Sequence, residues 1–127
     1  MFIKKKILIV DDDSMIGMEF KELLEEFGYE AEHILAWGNE ITAQVKKNLF
    51  DLIIMDVRLK DSIDGISAAE IVRCFSNIPI AFMSGYMNPE TLDRVKSISH
   101  AKFFPKPVDP VELKEAIDEF LGKEEKI

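Results

Sequence analysis

The chain has 127 residues, 47% of them hydrophobic and 31% charged, with a formal net charge of −8. That suits one domain with a sizeable core, and it argues against disorder and against a nucleic-acid partner, since the basic residues are scattered. The longest apolar runs are strand length, well short of the about 20 residues of a membrane helix, and the only cysteine, Cys74, excludes an internal disulfide or a cysteine zinc cluster.

In chain order, Lys6 to Val10 predicts a first strand, with Lys4-Lys5-Lys6 as its solvated start. Nothing there resembles a signal peptide, so the expected setting is cytoplasmic, with no membrane segment. Ile16, Phe20, Leu23, Leu24 and Phe27 form one face of a helix that Gly28 stops. Ala31 to Leu35 predicts the second strand, and Ile41 and Val45 a weaker helix ending near Asn48. Leu52 to Met55 predicts the third strand, followed by a helix marked by Ala68, Ile71, Val72 and Phe75. Pro79 to Met83 predicts the fourth, followed by Leu92, Val95 and Ile98 on a helix opened by Asn88-Pro89. Ala101 to Phe104 predicts the fifth strand. The last helix carries Leu113, Ala116, Ile117, Phe120 and Leu121, between an Asp109-Pro110 start and Gly122.

Strands alternating with helices predict an α/β fold, a doubly wound five-stranded parallel sheet covered on both faces. No linker or repeat divides the chain, so residues 1–127 are expected to form one domain. In such a sheet, functional groups gather beyond the carboxyl ends of the strands. Asp11, Asp12 and Asp13 follow the first strand, Asp56 closes the third, Ser84-Gly85 close the fourth, and Lys106 lies past the fifth. If the strand order is 2-1-3-4-5, Asp12 and Asp56 point into one small space. Carboxylates that close raise each other's pKa or recruit a cation, and hard oxygen ligands with room for water suit magnesium. Lys106 adds the opposite charge, so the group is fitted to hold a phosphoryl on an acid by positioning and electrostatics.

Four separated motifs, Ile7-Leu8-Ile9-Val10-Asp11-Asp12-Asp13, Leu52-Ile53-Ile54-Met55-Asp56, Met83-Ser84-Gly85-Tyr86 and Phe103-Phe104-Pro105-Lys106-Pro107, together resemble the receiver domain of two-component response regulators. The resemblance covers about residues 5 to 121 and implies a single-domain, flavodoxin-like (βα)5 phosphoacceptor switch. It makes Asp56 the phosphoacceptor. Asp12, Asp56, the main-chain carbonyl of Arg58 and, through water, Asp11 would be the magnesium ligands. It matches Ser84 to the switch hydroxyl, Phe103 to the switch aromatic and Lys106 to the family lysine, with Gly85, Arg58 and Pro107 as secondary positions and a cis Lys106-Pro107 bond. The implied donor is a sensor histidine kinase or a histidine phosphotransfer protein. The signal would leave by contact with another protein, from a monomer or a phosphorylation-linked dimer, as the face of the fourth helix, fifth strand and fifth helix changes shape. Three departures stand out: Lys60 replaces a usual proline and Asp64-Gly65 arrives one residue late, Arg58 sets a cation beside the site, and Phe103 replaces the commoner tyrosine.

Two other functions fit less well. A haloacid-dehalogenase-like phosphatase would need a second acid two residues after Asp56, where Arg58 cannot exchange a proton. A pure interaction module would not need all the acids together with Ser84 and Lys106. The remaining polar and sulfur residues have simpler readings. Asp13 is expected to cap the first helix, Trp37 to pack, Cys74 to be inert core or boundary, and Met15, Met18, Met55 and Met83 to fill core. Met87, beside Tyr86, could belong to a partner surface, and the isolated His33 and His100 carry no assigned chemistry.

Overall fold

The computed structural model describes residues 4–59, 63–85 and 88–122. Five strands, β1 (Lys6–Val10), β2 (Glu30–Ile34), β3 (Leu52–Asp56), β4 (Ile80–Ser84) and β5 (Ala101–Pro105), alternate with five helices. These are α1 (Ser14–Glu26), α2 (Asn39–Lys46), α3 (Gly65–Arg73), α4 (Pro89–Lys96) and α5 (Pro110–Leu121). The strands pair in parallel in the order β2-β1-β3-β4-β5. The expected doubly wound sheet is therefore the fold of the chain.

Burial explains why the central strands were so plain in the sequence. Every residue of β3 and β4 is buried, whereas the edge strands β2 and β5 are mostly half-buried. Alternate side chains feed two cores. Leu8, Val10, Ile53, Met55 and Phe82 meet Val45, Ile66, Val72 and Val95 on one face, the side of α2, α3 and α4. Ile7, Ile9, Leu52, Ile54 and Met83 meet Leu24, Leu113 and Ile117 of α1 and α5 on the other. Each aliphatic side chain fully buried in this way stabilises the fold by about 1.5–3 kcal/mol.

The helix starts follow local chemistry. Asp13 accepts the N–H groups of Met15 and Ile16, Asp64 that of Ser67, Asn88 that of Thr91 and Asp109 that of Val111. Gly28, with φ 97°, takes the left-handed conformation that ends α1.

Several expectations need correction. β2 lies one residue earlier than expected, because pairing with β1 from Lys6↔Glu30 to Val10↔Ile34 sets its limits and leaves Leu35 exposed. Met15 and Met18 are exposed, not core, since they project from the side of α1 opposite Leu24. Cys74 is also exposed, following α3 on the side away from Val72. Trp37 is buried, its Nε1–H donating to Thr42 Oγ1, in keeping with packing. Met55 and Met83 fill core as expected. Lys60, Tyr86 and Met87 lie outside the described residues.

Candidate functional site

The carboxyl ends of β1 and β3 stand side by side, since β1 pairs with β3 up to Val10↔Met55. Asp11 and Asp56 are thus carried to one spot by the chain immediately past that pair. Both are buried, as is Ser84 at the end of β4, while Asp12 is half-buried. One carboxylate oxygen from each of Asp11, Asp12 and Asp56 lies within 4.8 Å of the other two.

Lys106 completes the group from beyond β5. Its Nζ donates to Asp56 Oδ2 at 3.0 Å and to Asp11 Oδ2 at 3.3 Å. The Lys106 N–H donates to the Ser84 carbonyl, which fixes where the lysine stem begins; the Lys106-Pro107 bond is cis, as the resemblance implies. The other carboxylate oxygens are held by main chain. Asp13 N–H donates to Asp11 Oδ1 at 2.9 Å and Arg58 N–H to Asp56 Oδ1 at 3.0 Å.

Burial is the largest influence on the Asp56 carboxyl and pushes its pKa above the ordinary value. The hydrogen bonds from Lys106 and the Arg58 amide pull it back, and the charge of Asp11 pushes it up again. Burial pulls the Lys106 ammonium down, but hydrogen bonding and charge from Asp56, then Asp11, outweigh that and leave it raised. The two shifts point the same way although the groups are partners, because desolvation prevails for the more deeply buried acid.

Three carboxylates against one ammonium leave two negative charges in a mostly buried space. A divalent cation would cancel them, and the clustered oxygens suit a hard ion that keeps some of its water. The donor set therefore fits magnesium.

Gly65 has a role that sequence reasoning missed. A Cβ there would lie 2.1 Å from the Asp56 carbonyl oxygen, so the start of α3 seats directly on the main chain of Asp56. Its N–H also donates to the Val57 carbonyl. The late Asp64-Gly65 pair thus serves as cap and seat in one step. His33 has no signal in the sequence either, yet its Nε2 lies 2.8 Å from the Asp11 carbonyl oxygen. Phe103 is half-buried against the core on the α2–α4 side. The Arg58 side chain is exposed. Gly85 is exposed with open space where a Cβ would be, so packing does not demand glycine there.

The profile of the response regulator receiver domain matches residues 7–118. The chain belongs to that family. Among curated relatives of this receiver domain, the transcriptional regulatory protein ZraR of Salmonella typhimurium is 32% identical over 121 residues, 94% of this chain and 27% of that protein. The transcriptional regulatory protein PdtaR of Mycobacterium tuberculosis is 28% identical over 116 residues, 91% of this chain and 56% of that protein. The chain thus spans between about a quarter and about half the length of these curated relatives. Among solved structures, a CheY-like receiver domain protein from Methanospirillum hungatei superposes with a TM-score of 0.80 at 30% identity, covering 94% of each chain. The chemotaxis protein CheY4 of Vibrio cholerae gives 0.81 at 28%, covering 94% of this chain and 100% of that one. Receiver domains are signalling domains of two-component systems, and in this one Asp11, Asp12 and Asp56 form an acidic cluster that could hold a metal ion. No helix among the described residues is long and apolar enough to cross a membrane.

Proposed function

We propose that this receiver domain is a phosphoacceptor switch that takes a phosphoryl group on Asp56 from the phosphohistidine of a sensor histidine kinase or a phosphotransfer protein. In the transfer an Asp56 carboxylate oxygen forms a bond to phosphorus, the phosphorus–nitrogen bond of the donor breaks, and the released imidazole takes up a proton. The observation that carries this reading is the ammonium of Lys106, reaching from beyond β5 to two buried aspartates that stand at the ends of strands two and three places away. A lysine so placed neutralises an acid now and is positioned to neutralise phosphoryl oxygens once Asp56 is modified.

Asp12, Asp56, the Arg58 main-chain carbonyl and, through water, Asp11 would hold magnesium, whose chemistry is to neutralise charge that builds on the phosphoryl oxygens. The Arg58 amide orients Asp56, and the Asp13 amide orients Asp11. Ser84 would hydrogen-bond a phosphoryl oxygen, and Phe103 would take up space the rearrangement opens. Gly85 and Pro107 are secondary, shaping the loops that carry Ser84 and Lys106. The reading takes residues 1–127 as one domain with a core from about 5 to 121, set in the cytoplasm, whose output is contact with a downstream protein as a monomer or a phosphorylation-linked dimer.

The test is intact mass after incubation with acetyl phosphate, with and without magnesium, on wild type and Asp56→Ala. One phosphoryl increment is expected in wild type with magnesium and none in Asp56→Ala. An unchanged wild-type mass under both conditions would reduce the domain to an interaction module. The exposed Arg58 guanidinium would shield the acyl phosphate or reach a nearby acid, so Arg58→Asn should change the rate at which the phosphoryl group is lost. An unchanged rate removes that part of the reading.

A further inference from the structure

We infer that His33 is a positioning residue of the acidic site, holding Asp11 through its main chain; this rests on the magnesium-assisted reading above. Asp11 stands one residue past β1, where the sheet's support is running out. Its N–H still donates to the Ile34 carbonyl at 3.1 Å, the last rung toward β2. In a parallel ladder the next rung would come from the amide of Ala36. β2 ends at Ile34, however, and the chain bends at Leu35 and Ala36. The ring of His33 stands in for that rung, with Nε2 2.8 Å from the Asp11 carbonyl oxygen. A carbonyl only accepts, so Nε2 carries the proton and donates.

Gly17 makes room for the ring. A Cβ at that position of α1 would lie 2.0 Å from His33 Nε2 and 2.1 Å from Cε1, closer than any non-bonded contact allows. Glycine inside a helix is a destabilising choice. Here it lets an imidazole lie against the helix backbone and reach the turn between β1 and α1. That turn carries the ligands. The Asp11 carboxylate accepts from Asp13 N–H on one oxygen and from Lys106 on the other. Asp12 stands between the two residues so held. Without the ring, the Asp11 carbonyl would lose its partner and the turn could pivot, displacing Asp11 and Asp12 together. Outer-shell hydrogen bonds of this kind govern how well a site holds its ion.

Two variants test this. His33→Leu keeps bulk beside Gly17 but has no donor, whereas His33→Gln restores an N–H. Calorimetric titration with magnesium should show affinity about tenfold weaker for the leucine variant, and within about threefold of wild type for glutamine. A leucine variant that binds as wild type does, or a glutamine variant as weak as leucine, overturns the inference. Wild type that binds no magnesium is a different result, one that removes the metal reading and this inference with it. A measurement on the unaltered protein covers the case in which a variant does not fold. Magnesium should shift the ring 15N resonances of His33 well beyond those of His100, whose Nδ1 is bonded to the Asn77 carbonyl instead. Equal shifts, or none, would overturn the role.

Discussion

α3 and α4 pack on the same face of the sheet and follow the two strands that end in Asp56 and Ser84, yet they are held in opposite ways. α3 buries Gly65, Ile66, Ala68, Ala69 and Val72, and its first residue seats on the Asp56 main chain. In α4, Val95 is the one buried residue among those described. What else ties α4 down is largely on the outside. Arg94 reaches across to Asp64 at 3.2 Å, to the Ser67 hydroxyl at 3.2 Å and to Glu70 at 3.5 Å. The contrast teaches which helix belongs to the scaffold. A helix fixed by buried apolar contact moves only if the core repacks, whereas one held mainly by exposed polar contacts can shift for a small free-energy change. In the proposed switch, an event at Asp56 would leave α3 in place, and one relayed through Ser84 would reach α4.

The largest expected effect tests the seat of α3. Gly65→Ala puts a methyl against main chain that cannot step aside, and should cost roughly 3 kcal/mol or more in urea unfolding. A cost under about 1 kcal/mol would mean α3 can lift off Asp56, and the contrast would lose its rigid half. Val95→Ala comes next. It removes most of what α4 buries and should cost about 2 kcal/mol. Hydrogen exchange should then quicken in α4 while α3 stays protected. Equal loosening of both helices would show that they open as one unit.

The fold was legible where burial writes directly into sequence. β3 and β4 are apolar on both faces because both faces are covered, and the capping residues Asp13, Asn88 and Asp109 announce their helices by chemistry alone. The acidic site was legible because a parallel sheet brings strand ends together, so Asp11, Asp12, Asp56 and Lys106 needed only the strand order to meet. Features made by contact between elements were harder to read. Gly65 and Gly17 are glycines because something passes close by, the Asp56 carbonyl in one case and the His33 ring in the other. No spacing encodes such a neighbour. Gly17 did leave a signal, an unexplained glycine beside the apolar stripe of a helix. Met15 and Met18 are hydrophobic in character, but their angle around α1 turns them away from Leu24 and into solvent. Arg94 left no signal, since its partners lie 24 to 30 residues away with no shared period.

Charge at the site also acts on stability. Burial raises the Asp56 pKa above its ordinary 3.8, against the pull of Lys106 and the Arg58 amide. An acid raised on folding adds stability that is fully present below 3.8 and is lost as the pH climbs through its folded value. Toward neutral pH, without magnesium, ionising Asp56 is therefore less favourable in the folded chain than in the unfolded one. Asp56→Asn should raise the melting temperature there, by about 4 °C for each kcal/mol relieved. The gain should shrink as the pH is lowered toward 3.8, and magnesium should stabilise the wild type much more than the variant. A variant that melts below wild type at neutral pH would show that Lys106 more than compensates for burial.

Arg94→Ala should have the smallest effect on stability. Its side chain is 45% exposed and that of Asp64 40%, so their ion pair should contribute less than about 1 kcal/mol. For Asp64, burial pushes the carboxyl up, but the Ser67 amide, then Arg94, prevail and hold its pKa below the ordinary value. A lowered acid contributes stability above its unfolded pKa and loses it as the pH falls through the folded one, so the Arg94 contribution should be present at neutral pH and fade in acid. It should also fade at about 1 M salt, where screening acts over about 3 Å. Urea unfolding at low and high salt measures this, and exchange in α4 should quicken at low salt with α3 unchanged. A loss above about 2 kcal/mol that persists in salt would make the Arg94 bridge an anchor comparable to the buried face of α3, and the distinction between a fixed helix and a movable one would fail.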